Sequence, residues 1–173
     1  MAETENEPSP PDPGCARYTR IAFPAYRYVP GRSPHPRRDP GGHSYGRPEP
    51  RAAALDPAEW ATSTVYLHGV DLYNFAYWWE AHESFEALWQ AADKEGTLGQ
   101  MLQGLIQIAA GNLKRFMGAE SAAQKLGARG LARLAVAPSP WLGLDVRGFE
   151  AEARGYLAGE RAAPALMRLA PPG

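Results

Sequence analysis

Apolar residues recur every three or four positions from about residue 55 onward, which is the spacing of a buried helix face. No stretch shows the strict alternation of apolar and polar residues that predicts a strand. Asp56-Pro57 supplies an N-cap and a first-turn proline for the first helix, and Gly69 is expected to end it. The pattern predicts an all-α fold of about five helices, over residues 56–67, 71–92, 98–117, 121–135 and 145–157.

The part of the chain before these helices has a different composition. Most of the prolines lie there, and proline at that density blocks regular helix. Residues 1–20 are predicted to form a disordered tail because they begin acidic and proline-rich. Residues 21–54 contain several aromatic side chains, so we expect an extended arm that packs on the body. The helical domain is then expected over residues 55–160, with a C-terminal tail over residues 161–173.

Composition narrows the function classes. The 173 residues suffice for one domain, and 45% of them are apolar, as in an ordinary globular protein. The formal net charge of −1 makes nucleic acid an unlikely partner. The basic stretch of Arg32, Arg37, Arg38 and Arg47 is partly balanced by Asp39 and Glu49 and is a weak nucleic-acid signal. A single cysteine, Cys15, and no signal pattern predict a cytoplasmic protein, and no apolar run is long enough to span a membrane.

The second predicted helix carries the most distinctive chemistry. On a helical wheel, a broad apolar stripe is centred on His82 and Glu86, whose four-residue spacing puts their side chains together. Glu83 lies at the edge of the stripe, and Glu80 lies on the other side. The stripe's aromatic members are Phe75, Trp78, Trp79, Phe85 and Trp89.

The His82–Glu86 pair allows three interpretations. It is a structural pair that orients neighbouring helices, or two ligands of a divalent metal, or an acid–base or ligand-binding site without metal. An unpaired buried carboxylate costs several kcal/mol, so Glu86 needs a partner in each case. Gln103 and Gln107 of the third helix either hydrogen-bond to this pair or face water. Gly104 is expected to let another helix approach closely.

The arm offers further candidate ligands. His35, Asp39 and His43 lie within nine residues of a segment stiffened by proline. They either complete a site begun by His82 and Glu86 or belong to an exposed loop whose histidines are incidental.

Two stretches resemble motifs of a known family. GVDLYNFAYWWEAHESFEALW and QGLIQIAAGNLKRFMG are similar to the two motifs of the bacterial and archaeal domain-of-unknown-function 309 (DUF309) family, and the resemblance covers about residues 60–157. The arm also looks like an N-terminal extension, with an HP…GHS pattern, of a longer subgroup. The resemblance implies a compact antiparallel helical bundle and the general label of predicted metal-dependent hydrolase. The matching positions are His82, Glu83, Glu86 and Trp89 in the first motif, and Gln103, Gly104 and Gln107 in the second.

The leading hypothesis is therefore a metal-dependent hydrolase acting on an unknown small molecule. His82 and Glu86 would bind zinc, manganese or iron, with His35 or His43 completing the ligands. Glu83 or Glu86 would act as general base, and Trp78, Trp79 and Trp89 would wall the pocket, with Gln103, Gln107 and Asp39 around it. The rival is a non-enzymatic binding or interaction module, for a partner or a homodimer, in which the His-Glu pair is structural. A third is a ligand-binding bundle without turnover, lined by Trp78, Trp79 and Met101.

Overall fold

The computed structural model describes residues 6–171, and its architecture is helical. A short 3₁₀ helix spans Pro57–Thr62, and within the described residues the only β-structure is two isolated bridges near the C-terminus. The longer helices are α1 (Thr64–Asn74), α2 (Trp78–Gln90), α3 (Thr97–Phe116), α4 (Glu120–Leu134) and α5 (Val146–Leu157). The prediction of an all-α bundle of about five helices is confirmed. The predicted tails extend into residues 1–5 and 172–173, which lie outside the described residues.

The first predicted helix differs from the structure at both ends. Asp56 caps only the 3₁₀ helix, through a bond from the backbone N–H of Ala58, and Ser63 caps α1. Gly69 lies inside α1 and not at its end. The glycine is required by packing, because a Cβ there would lie 2.8 Å from the ring of Phe85 on α2. The expected stop at Gly69 was therefore wrong.

A sharp turn separates α1 from α2, where the sequence predicted one helix from Asp71. Ala76 takes a left-handed conformation with φ of 64°, which costs about 1–2 kcal/mol for a residue with a Cβ. Backbone hydrogen bonds compensate, because the N–H of Tyr77 donates to the carbonyl of Leu72. The Arg27 side chain of the arm donates to the carbonyl of Phe75. The turn thus reorients α2 and fixes the position of its first residue, Trp78.

Helix α3 lies at the centre of the bundle and packs against α2 and α4. Its contact with α4 is close, because a Cβ on Gly104 would lie 2.9 Å from the carbonyl oxygen of Gly130. The expectation that Gly104 allows close helix approach is confirmed. The core around α3 includes the fully buried Met101, Leu102, Leu105 and Ile108.

Both terminal segments are fixed to α1. The buried carboxylate of Asp71 accepts hydrogen bonds from the backbone N–H groups of Tyr18 and Thr19, and the Asn74 side chain makes two hydrogen bonds with the backbone of Met167. Residues 18 and 19 therefore belong with the arm and not with a disordered tail. In the described part of the chain, no helix is both long and apolar enough to cross a membrane.

Candidate functional site

The arm covers the outer face of α2, and this changes which side chains of the helix are buried. The face of α2 that meets the core carries Ala81, Phe85 and Leu88, all essentially inaccessible to solvent. Glu80 lies on the opposite side and is nevertheless 95% buried, because residues 28–43 of the arm lie over it. His82 and Glu86 were predicted at the centre of the buried stripe, but they lie at its edge with side chains 30% and 45% exposed.

The buried His-Glu pair of this protein is His43–Glu80. Nε2 of His43 lies 2.9 Å from Oε1 of Glu80, and each side chain is only 5% exposed. The same carboxylate oxygen accepts the backbone N–H of Tyr28 at 3.0 Å, while Nδ1 of His43 contacts the hydroxyl of Ser44 at 2.9 Å. The second carboxylate oxygen of Glu80 is buried without a hydrogen-bond partner among the described residues. The pair therefore holds the arm on α2, and among the described residues it forms no further ion pair.

A second contact joins the arm to α2 at Arg37. Its guanidinium donates to both carboxylate oxygens of Glu83, at 2.8 and 3.4 Å, and to the backbone carbonyls of Arg47 and Pro48. Burial raises the pKa of Glu83, and the hydrogen bond and charge of Arg37 oppose that rise. Arg37 thus connects three parts of the structure: the helix, its own loop, and the segment that follows it.

The other predicted arm residues shape the loop itself. Nδ1 of His35 accepts the backbone N–H groups of Arg37 and Arg38, and Asp39 accepts the N–H of His35. The ring of His35 lies 5.5 Å from that of Trp79 and 5.2 Å from that of Tyr28. His35 and Asp39 therefore act in local turns and aromatic packing, and Trp79 is covered by the arm.

His82 and Glu86 remain close but are loosely paired. Nε2 of His82 lies 3.8 Å from Oε2 of Glu86, which is beyond hydrogen-bonding distance. Nδ1 of His82 and the side-chain oxygen of Gln107 are buried without a partner among the described residues. No hydrogen bond joins Gln103 or Gln107 to the pair within residues 6–171, so the first of the two alternatives predicted for these glutamines is not formed there.

The tryptophans do not form one pocket wall as predicted. Trp78 is buried in the core, Trp79 lies under the arm, and Trp89 packs half-buried beside the ammonium of Lys94, 4.3 Å from its ring. Met101 is also buried in the core. Each residue is held by packing, so none of them surrounds a cavity.

A groove of about 1140 Å³ lies between α2 and the segment of the arm that follows the Arg37 loop. We call it the arm groove. Its helix wall carries Glu83, Glu86, Ala87, Gln90 and Ala91, and its arm wall carries Arg47, Pro48, Glu49, Pro50, Arg51 and Ala52. The prolines restrict the backbone of the arm wall, and Arg37 binds both walls at one end. The arm groove is therefore preformed, and five of its eleven lining residues are charged.

The donors predicted for a metal do not converge. His43 contacts Glu80 and Ser44, His35 accepts backbone N–H groups, and Glu83 binds Arg37. Only His82 and Glu86 remain, and a stable site needs further ligands. Among residues 6–171, no group of three or more His, Cys, Asp or Glu side chains is arranged to hold a metal ion. The described residues do not fit the predicted ligand set.

Sequence reasoning missed Glu80 and the bridging role of Arg37. Glu80 lies inside the E-A-H-E stretch of the first motif, and that position indicated a role for it. The helical wheel instead placed Glu80 on the side of the helix away from the apolar stripe. Arg37 belongs to the basic stretch of the arm, and nothing in its spacing indicates a partner 46 residues away.

The pKa of Glu83 is expected to rise further when Arg37 is replaced by alanine. The substitution removes the charge and hydrogen bonds that oppose the effect of burial, so the carboxyl will hold its proton to higher pH. A titration of side-chain carboxyl signals by carbon-13 NMR measures this pKa. Arg38→Ala is the matched control, because Arg38 is exposed and its side chain does not contact Glu83. Equal pKa values in both variants would contradict the role assigned to Arg37.

Comparison with known families supports the resemblance seen in the sequence. Residues 66–126 match the family model described as Domain of unknown function (DUF309). The matched segment includes α2 and α3, and thus the helix wall of the arm groove, while the arm lies outside it. Neither the curated proteins nor the solved structures contain a match to this chain.

Proposed function

We propose that the protein is a non-enzymatic helical binding module that takes a small polar molecule in the arm groove. The observation that carries the proposal is the double attachment of Arg37, which fixes the two charged walls of the groove relative to each other. A preformed site loses little conformational freedom when it binds, so it can hold a small ligand with few contacts. The cytoplasmic location and a homodimer stay predictions from the sequence.

Filling the arm groove is expected to abolish ligand binding. Ala91 lines the groove, is exposed and ends α2, so Ala91→Trp adds bulk without touching the core. Wild type and variant are compared by thermal shift against a library of small anions, cations and zwitterions. At about 100 times its Kd, a ligand should raise the Tm of the wild type by about 5 °C or more, and leave that of Ala91→Trp unchanged.

Ala135→Trp is the matched control for this experiment. Ala135 is also exposed and also ends a helix, α4, but it does not line the groove. This variant should respond to the ligand as the wild type does. If no compound stabilises the protein, or if one stabilises all three chains equally, the proposed function is wrong.

A hydrolase is the second candidate, and the raised pKa of Glu83 favours it. A half-buried carboxyl that keeps its proton more readily than usual can act as a general acid, and Glu86 lies on the same wall of the groove. In this candidate, Glu83 and Glu86 are the acid–base residues of the hydrolysis. It needs no contribution from the buried His43–Glu80 pair.

The metal content of the purified protein tests the metal-dependent form of the hydrolase candidate. A binding module of the kind proposed should contain transition metal well below one ion per chain, because only His82 and Glu86 are free to bind it. Elemental analysis of the untagged protein and of His82→Ala measures this content. One zinc, manganese or iron ion per chain, lost in His82→Ala, would instead establish a metal site at His82 and justify a hydrolase substrate screen.

A further inference from the structure

The charges of the arm groove are separated between its walls. The arm wall carries Arg47 and Arg51 with Glu49 between them, and these three side chains make no ion pair with other described residues. On the helix wall, the charge of Glu83 is balanced by Arg37, which leaves Glu86 as the carboxylate available to a ligand. The groove is therefore about neutral in sum, with both free cations on the arm wall and one free carboxylate on each wall.

This separation discriminates between ligand classes. A ligand with several negative charges is repelled by Glu49 and Glu86, and a polyamine is repelled by Arg47 and Arg51. An apolar ligand would strip water from charged groups and return no hydrogen bonds. A molecule with a positive group at one end and a negative group at the other is attracted by both walls.

The side chains also have the hydrogen-bonding geometry for such a molecule. A guanidinium presents paired N–H donors that match the two oxygens of a carboxylate. The carboxylate of Glu86 is 45% exposed and is beyond hydrogen-bonding distance of His82, so it can accept from an ammonium group.

We propose that the arm groove binds a free amino acid or short peptide, with the ammonium group on Glu86 and the carboxylate on Arg51 or Arg47. The inference rests on the proposed function and names its ligand class. Free amino acids and peptides share the same pair of terminal charges, so the experiment must distinguish them by length.

Isothermal titration calorimetry with matched probes tests the inference. The probes are the free amino acids, L-alanyl-L-alanine, tri-L-alanine, and two blocked forms of the dipeptide, one N-acetylated and one amidated at its C-terminus. Each blocked form loses one terminal charge, and the loss of one charge-assisted hydrogen bond is expected to weaken binding about tenfold. The probe that binds most tightly shows whether the ligand is a free amino acid, a dipeptide or a longer peptide.

Three groove variants locate the termini. Glu86→Gln should weaken binding of the unblocked dipeptide about tenfold. It should weaken binding of the amidated dipeptide by the same factor, because that form also keeps its ammonium group. Of Arg51→Gln and Arg47→Gln, the variant that removes the carboxylate's partner should weaken the unblocked and the N-acetylated forms, which keep the carboxylate. If neither variant weakens them, the inference is wrong. Glu95→Gln, at an exposed site outside the groove, is the control and should change nothing.

The outcomes separate this inference from the function on which it rests. If anions or cations bind, Ala91→Trp abolishes that binding, and zwitterions do not bind, the inference is wrong while the binding function stands. If the N-acetylated and amidated dipeptides bind as tightly as the unblocked dipeptide, the inference is also wrong, because the terminal charges are then not recognised. If no probe of any class binds, both are wrong.

Discussion

Replacing His43 by alanine is expected to lower the free energy of unfolding by about 3–5 kcal/mol. The substitution leaves the Glu80 carboxylate 95% buried with only the backbone N–H of Tyr28 as a donor, and its second oxygen already lacks a partner. A buried charge without compensation destabilises the folded state far more than an exposed pair stabilises it. Urea denaturation followed by circular dichroism measures the difference.

The matched control is His82→Ala, which removes the pair that the sequence placed at the centre of the buried stripe. His82 and Glu86 are 30% and 45% exposed and 3.8 Å apart. Loss of this pair should therefore lower the free energy of unfolding by less than about 1 kcal/mol. The contrast is therefore the test. If His82→Ala were the more damaging substitution, the structural pair would be His82–Glu86, and the placement of the arm would be wrong.

Gly42→Ala is expected to displace the loop of the arm that carries His43. A Cβ at position 42 would lie 2.3 Å from the carbonyl oxygen of Pro36 and 2.4 Å from that of His35, and both are backbone atoms that cannot rotate away. Crowding of this kind costs about 1–3 kcal/mol. Limited proteolysis should therefore cut the variant's arm faster than that of the wild type, and denaturation should show the loss of stability.

Gly41→Ala controls for the general effect of a methyl group in this loop. Its Cβ would meet only the side chain of Pro34, at an ordinary contact distance of 3.7 Å. Its arm should be cut at the wild-type rate. Equal rates for both variants would mean that the turn between Pro36 and His43 is not what holds the arm in place.

Local signals in the sequence were enough to predict the second half of the bundle. Asp145 caps α5 as expected, through a bond from the backbone N–H of Gly148, and the predicted bounds of α3, α4 and α5 agree with the structure within a residue or two. The start of α5 depends on its capping residue, whereas α3 and α4 have no side-chain cap and follow the apolar spacing of their own segments. The helix break at Ala76 had no such signal, since alanine is the strongest helix former and its left-handed conformation is imposed by packing.

The candidate site could not be predicted to the same degree, because helical spacing describes only one side of a helix. It located the face of α2 that meets α3, but it could not show that a distant arm buries the other face. The pairing of Glu80 with His43 and of Glu83 with Arg37 joins residues 37 and 46 positions apart. Such contacts depend on the path of a proline-rich segment, for which the sequence has no periodic pattern.

The contact between the two ends of the described chain makes its topology nearly a ring. The hydroxyl of Tyr18 accepts the backbone N–H of Leu169 at 2.7 Å, and both neighbouring segments are held on α1 by Asp71 and Asn74. A short linker could therefore join these ends, and new ends could be opened in the exposed turn before Gly96. Such a circular permutant is expected to keep the helix contacts and both arm attachments, because the new linker and the new ends lie outside them.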